Sequence, residues 1–285
     1  MDEQISGLPS TILTSIGIAR NASLIDVTDV RIAGYAQQIT LRLYRRTMTS
    51  EQLPVMLYFH GGGFTRGSID VADYAARYLA QHTPALVISV GYSLAPRFPF
   101  PAAPEDAWRA ATWARQHAAE YGGNTRQLGV AGHDAGGSLA TCMSFMARDR
   151  GGLSIASQAL FGPMLDPTLT RLGDERRLGS DITASECATC YLAYLPKVSQ
   201  RVHPYAAPLE SIRLAGLPPT LILTAQNDIL HIEAEKYAGN LISAGIQTSV
   251  VRCPSVSHAD LAEHPTALLE AVRFFQWHFD ERQKR

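Results

Sequence analysis

No stretch of this 285-residue chain approaches the roughly 20 apolar residues needed to cross a bilayer, so no membrane span is expected. An excess of charge of one sign is also missing. Lys and Arg number 25 against 26 Asp and Glu, leaving a formal net charge of -1. That balance gives no electrostatic reason to expect nucleic acid or an anionic membrane as a partner. The first residues, Met1-Asp2-Glu3-Gln4, are acidic and lack the basic region and apolar core of a secretory leader, which points to the cytoplasm. Cysteine is scarce. Cys142, Cys187, Cys190 and Cys253 are too few for a disulfide framework at this length. Cys187 and Cys190 have C-x-x-C spacing, but no second such pair and no thioredoxin-like context accompany them, so all four read as reduced thiols. The chain has no P-loop, no strand-linked G-x-G-x-x-G and no cluster of metal-ligand residues, so neither a metal nor another cofactor is expected. The most telling absence is that of G-x-S-x-G, which occurs nowhere.

What is present is a long alternation of strand and helix signals. At 46% apolar, the chain can bury a large core. Short apolar runs at Pro54–Phe59, Ala85–Val90, Gln127–Ala131, Ser157–Phe161, Thr220–Ala225 and Gln247–Cys253 fit strands of a parallel sheet. Leu24–Ile32 and Ile39–Arg45 read as a further pair joined by a turn. Helices are expected over Asp70–His82, Pro104–Glu120, Ser138–Arg148, Ile232–Ala244 and Thr266–Arg282. The fold class is therefore α/β: a mostly parallel, twisted, eight-stranded sheet covered on both faces by helices, in a single domain over residues 1–285. Residues 166–208 break the alternation and are expected to form a partial lid over the strand ends.

One turn holds the chemistry. The strand ending at Ala131 runs into Gly132-His133-Asp134-Ala135-Gly136-Gly137 and then into a helix. Glycines flank the central residue because so sharp a turn leaves little space for side chains. A reactive group there stands at a helix N-terminus, whose amides favour negative charge. This is the layout of a nucleophile elbow with aspartate at its tip.

Other segments align with that reading. His60-Gly61-Gly62-Gly63-Phe64 resembles the HGGGF motif of the hormone-sensitive-lipase-like branch of the α/β-hydrolases. Tyr92-Ser93-Leu94-Ala95-Pro96 followed by Phe98-Pro99-Phe100-Pro101-Ala102 resembles its YRLAPE-x-PFPA segment, with Ser93 and Arg97 as departures. Pro204–Leu209 and Gly216–Pro219 resemble the approach to its acid-bearing strand, so the likeness runs from about Val27 to Phe275. The resemblance implies a nucleophile, acid, histidine order, which Asp134, Asp228 and His258 fill; Asp228 and His258 both follow C-terminal strand ends, where such sheets bind ligands. Asp260 is a rival acid, less suited because only Ala259 separates it from His258. The amides of Gly61, Gly62 and Ala135 are the expected oxyanion hole, and His60 is expected to shape the glycine loop by packing. Phe64, His133, Tyr191, Tyr194 and Tyr205 are candidate substrate contacts. The family's cap also uses an N-terminal segment; residues 1–23 are short for that role, which predicts a more open pocket closed chiefly by residues 166–208 and by Phe64, Thr65 and Arg66. The branch often forms dimers, so a homodimer is possible.

Where the branch carries G-D-S-A-G-G, this chain has His133 and Asp134 at the two middle positions. A carboxylate with an ordinary pKa near 3.9 is already ionised at neutral pH and needs no base to activate it. Attack on an ordinary ester is awkward, because the tetrahedral intermediate expels the weaker base, which is the carboxylate itself. Three readings stay open: hydrolysis of a small apolar ester or lactone by Asp134, His258 and Asp228; hydrolysis at saturated carbon, as in an epoxide or haloalkane; and a lyase or ligand-binding protein.

Overall fold

The computed structural model describes residues 24–47 and 52–283. The N-terminal segment expected to contribute to a cap, residues 1–23, lies outside them.

The strands are β1 (Ile25–Ala33), β2 (Gln38–Arg46), β3 (Leu53–Phe59), β4 (Leu86–Gly91), β5 (Gly123–His133), β6 (Ile155–Phe161), β7 (Thr220–Asn227) and β8 (Thr248–Ser257). They form one sheet in the order β1-β2-β4-β3-β5-β6-β7-β8, parallel from β4 to β8, with β1 and β2 antiparallel at one end. The expected eight-stranded, mostly parallel sheet is thus what the chain forms. Every side chain of β3 and of β6 is buried, which explains why these strands read as continuous apolar runs rather than alternating ones.

Seven α-helices occur among the described residues: α1 (Asp73–His82), α2 (Ala102–His117), α3 (Ala135–Arg150), α4 (Glu175–Leu178), α5 (Ala184–Tyr194), α6 (His231–Ser243) and α7 (Pro265–Gln283). The apolar sides of α2, α3 and α6 fill one core cluster. Those of α1 and α7 fill another. The two clusters flank the sheet. Helix α3 is buried from Ala135 through Ala147, and its run of Ala, Gly, Ser and Thr lets it lie close to the central strands. It starts three residues earlier than the expected Ser138, because Ala135, Gly136 and Gly137 already take helical positions directly after the turn.

The turn itself is tight. Asp134 has φ 55° and ψ -119°, a region costly for a residue with a side chain, of order 1–3 kcal/mol. Backbone bonds hold it there: Asp134 N–H donates to Phe161 O at 2.9 Å, and the amides of Ser138 and Met164 both donate to Asp134 O at 3.2 Å. The flanking glycines follow from crowding. A Cβ on Gly132 would meet Gly136 O at 2.2 Å, and one on Gly136 would meet Phe59 O at 2.0 Å.

Residues 166–208 carry α4, α5 and a 3-10 turn at Val198–Val202. Helix α5 opens with a capping box, in which Thr183 Oγ1 accepts from Glu186 N–H and Glu186 Oε2 accepts from Thr183 N–H. All four cysteines are free and buried. No described helix is long and apolar enough to cross a membrane.

Gly136→Ala forces a methyl group against the β3 carbonyl and is expected to destabilise the protein by about 1–3 kcal/mol. Urea unfolding measures this; an unchanged midpoint would show that the turn relaxes without cost.

Candidate active site

Four strand ends converge on one spot. His60 follows β3, Asp134 follows β5, Asp228 follows β7 and His258 follows β8, all at the C-terminal edge of the sheet.

His258 Nδ1–H donates to Asp228 Oδ2 at 2.8 Å, and the other Asp228 oxygen accepts the Leu230 amide at 2.8 Å. His258 Nε2 lies 3.7 Å from Asp134 Oδ1. The histidine is therefore flanked by two carboxylates. Asp260 plays no part, since its Oδ2 accepts from Ser257 Oγ at 2.8 Å.

The second Asp134 oxygen, Oδ2, accepts the amides of Gly62 at 2.8 Å and Gly63 at 2.7 Å. The donors to this carboxylate are thus Gly62 and Gly63, whereas Gly61, Gly62 and Ala135 are the amides expected to face a substrate oxygen. His60 explains the direction of these amides. Its Nδ1–H donates to Gly61 O at 2.7 Å, and in a planar trans peptide the next N–H points the opposite way. The Gly62 N–H is thereby aimed at Asp134. Gly62 O in turn accepts from the amides of Thr65 and Arg66, which directs the Gly63 N–H to the same oxygen. Gly62 holds this turn at φ 118°, open to glycine only. Ala135, at the start of α3, is not among the donors to the carboxylate. His60 also stacks on Tyr92 at 4.2 Å between ring centroids, so it shapes the loop by packing.

The electrostatics follow from this arrangement. Burial works against charge on Asp134, but the neighbouring His258 and the two amides outweigh it, and its pKa lies below the usual carboxylate value. Burial works against charge on His258 as well. The Asp228 carboxylate, bonded to its ring, and Asp134 beside it overcome this and push its pKa up to about 9. The resting site is thus an imidazolium between two carboxylates. His133 behaves differently. Burial, with the positive His258 beside it, pushes its pKa down to about 4, so it stays neutral. Its Nε2–H donates to His258 O at 3.0 Å.

Asp134, His258, His133 and the glycine loop line a cavity of about 320 Å³, at the small end for a ligand site, with Asp228 buried behind the histidine. Met164, Ile182 and Cys187 supply apolar wall, and the exposed Arg66, Glu186 and Glu263 bring the rim to the protein surface. Of the five candidate substrate contacts, only His133 lines this cavity. Phe64 and Tyr194 stack face to face at 3.8 Å and are almost fully buried, and Tyr191 packs beside them with its centroid 6.3 Å from Phe64. They fasten α5 to the core and do not face the site. Tyr205 lies elsewhere, with its hydroxyl donating to Asp149 at 3.3 Å.

One residue had no signal in the sequence. Asp181, just before α5, accepts the amides of His258 and Ala259 at 2.9 Å each. It reaches the histidine across 77 residues of chain. Among the described residues no group of three or more His, Cys, Asp or Glu side chains is arranged to hold a metal ion.

Comparison with known proteins places this geometry in context. A family model described as "alpha/beta hydrolase fold" matches residues 56–261. The carboxylesterase NlhH of Mycobacterium tuberculosis is 35% identical over 235 residues, covering 80% of this chain and 73% of the relative. An ethyl acetate hydrolase of Pseudomonas putida is 33% identical over 225 residues, covering 77% and 70%. Among solved structures, a hyperthermophilic esterase from the archaeon Pyrobaculum calidifontis superimposes with a TM-score of 0.83 at 34% identity, covering 93% of this chain and 87% of that one.

Because folding raises the His258 pKa from 6.5 to about 9, its charge stabilises the fold fully below pH 6.5, a contribution lost as pH rises through about 9. Asp134→Asn removes one of the two carboxylates and is expected to move the His258 titration, followed by NMR of the imidazole, to lower pH. An unchanged midpoint would mean that Asp134 does not act on the ring.

Proposed function

Since the chain belongs to the α/β-hydrolase fold family, we propose that it hydrolyses a small apolar carboxylic ester or lactone, with Asp134, His258 and Asp228 as its catalytic residues. The observation that carries this reading is the Asp134 carboxylate itself. It is ionised, pinned by two amides on one oxygen, and turns the other toward a histidine oriented by a second carboxylate. Asp134 supplies a nucleophile or base that has no proton to lose. His258 carries protons between water, substrate and leaving group, and Asp228 fixes its ring and favours the protonated form. The names of the matched relatives support ester chemistry, and the cavity of about 320 Å³ supports a short substrate. Residues 166–208 act as the cap, since Ile182, Glu186 and Cys187 wall the cavity.

The test is turnover of short-chain p-nitrophenyl esters and of small lactones by the native protein, Asp134→Ala and His258→Ala. Native activity is expected, lost in Asp134→Ala and reduced by about 10²–10⁴-fold in His258→Ala. A native protein inert toward both substrate types would sink this reading, and would leave epoxides, haloalkanes and simple ligand binding as the chemistry to examine.

A further inference from the structure

The Gly62 and Gly63 amides are occupied by the enzyme's own oxygen. Each amide has one hydrogen, and both are given to Asp134 Oδ2 at 2.8 and 2.7 Å. While Asp134 is held this way, a substrate carbonyl oxygen cannot use these two donors. Oδ1 is the other end of the carboxylate: it accepts no hydrogen bond from a described residue and stands 3.7 Å from His258 Nε2, and Asp134 lines the cavity. The two oxygens therefore have different roles built into the fold, one anchored and one reactive.

Acyl chemistry fits this poorly. Attack by Oδ1 on a substrate carbonyl carbon would place the oxyanion on the substrate, away from the two amides. The intermediate would also expel the carboxylate rather than an alkoxide. Attack on the alkyl carbon of the same functional group removes both problems. The leaving group is then the substrate's own carboxylate, similar in basicity to Asp134, and ring strain drives the reaction forward. The product of that step is an alkyl ester of Asp134, whose carbonyl oxygen is Oδ2. When water attacks it, negative charge develops on Oδ2, already within the 2.7–3.1 Å donor distance that oxyanion stabilisation requires.

We propose that this site cleaves the alkyl–oxygen bond of a strained lactone, or of an ester with an unhindered alkyl carbon, through an alkyl ester on Asp134 whose hydrolysis uses the Gly62–Gly63 hole. This rests on the ester or lactone reading given above. In the first step an Oδ1 lone pair bonds to the alkyl carbon, and the carbon–oxygen bond breaks with its electron pair going to the substrate carboxylate. Asp134 is then uncharged. His258 keeps only Asp228 as a direct carboxylate partner and releases its Nε2 proton to solvent. In the second step His258 takes a proton from water as the oxygen adds to Asp134 Cγ. Collapse breaks the Cγ–Oδ1 bond, the departing alkoxide takes the proton from His258, and the regenerated Asp134 acid returns its proton to the ring. Overall, lactone and water give a hydroxycarboxylate and one proton. The product hydroxyl oxygen comes from Asp134.

The probe is one enantiomer of β-butyrolactone in H₂18O, corrected for the uncatalysed reaction. Repeated turnover is expected to place 18O in the product hydroxyl and to invert the carbinol carbon. A single turnover is expected to add one 18O to the Asp134-containing peptide. His258→Gln, with the second step blocked, is expected to accumulate that peptide with the mass of one lactone added. Catalysed turnover with 18O in the product carboxylate and configuration retained would overturn the alkyl-cleavage proposal while leaving the hydrolase reading intact. No catalysed turnover of any lactone or ester would remove both.

Discussion

The pair of amide bonds from Gly62 and Gly63 to one oxygen of Asp134 is the constraint on which the site depends. It joins the loop after β3 to the turn after β5, and it divides an otherwise symmetric carboxylate into two unlike oxygens. It is itself set from outside. His60 turns the Gly61 peptide, the Thr65 and Arg66 amides turn the next one, and Tyr92 supports His60 by stacking and by donating its hydroxyl to His60 O at 2.8 Å. The residues that prepare the donors are thus mostly ones that never face the cavity.

The second constraint is charge. A buried imidazolium is tolerable only beside carboxylates, and a buried carboxylate only beside donors or positive charge. Asp134, His258 and Asp228 satisfy one another, and the strained backbone of Asp134 is kept in place by its hydrogen bonds to Phe161, Ser138 and Met164. A serine at this turn would leave the histidine with one direct carboxylate partner. The aspartate instead makes the protonated ring the resting form, so the proton inventory of the site differs from that of a serine triad before any substrate arrives.

Much of this could be read from the chain, and the misses have physical causes. The strands announced themselves because both faces of the sheet are covered, which leaves apolar runs such as Val55–Phe59 without alternation. Asp134, Asp228 and His258 were singled out by the resemblance and by their places after strands, and the structure brings the three together. The bonding of Asp134 to the Gly62 and Gly63 amides was not legible, because amide direction depends on where carbonyls such as Gly61 O find partners, and residue order does not encode that. Tyr191 and Tyr194 were misplaced for a related reason. An aromatic near a ligand site and an aromatic fastening a lid to the core have the same composition, and here stacking on Phe64 decides for the core. Asp181 had no local signature, since its two acceptor oxygens serve backbone groups far along the chain.

That contact of Asp181 also has a mechanical meaning. The segment that walls the cavity grips the peptide groups of His258 and Ala259 through a single side chain. Any outward swing of this segment that carries Asp181 away frees both amides and loosens the loop carrying the imidazole. The cavity wall and the histidine loop are consequently tied through one side chain. The seating of the cavity wall and the orientation of the imidazole-bearing loop therefore share one carboxylate, and a change in either is transmitted to the other.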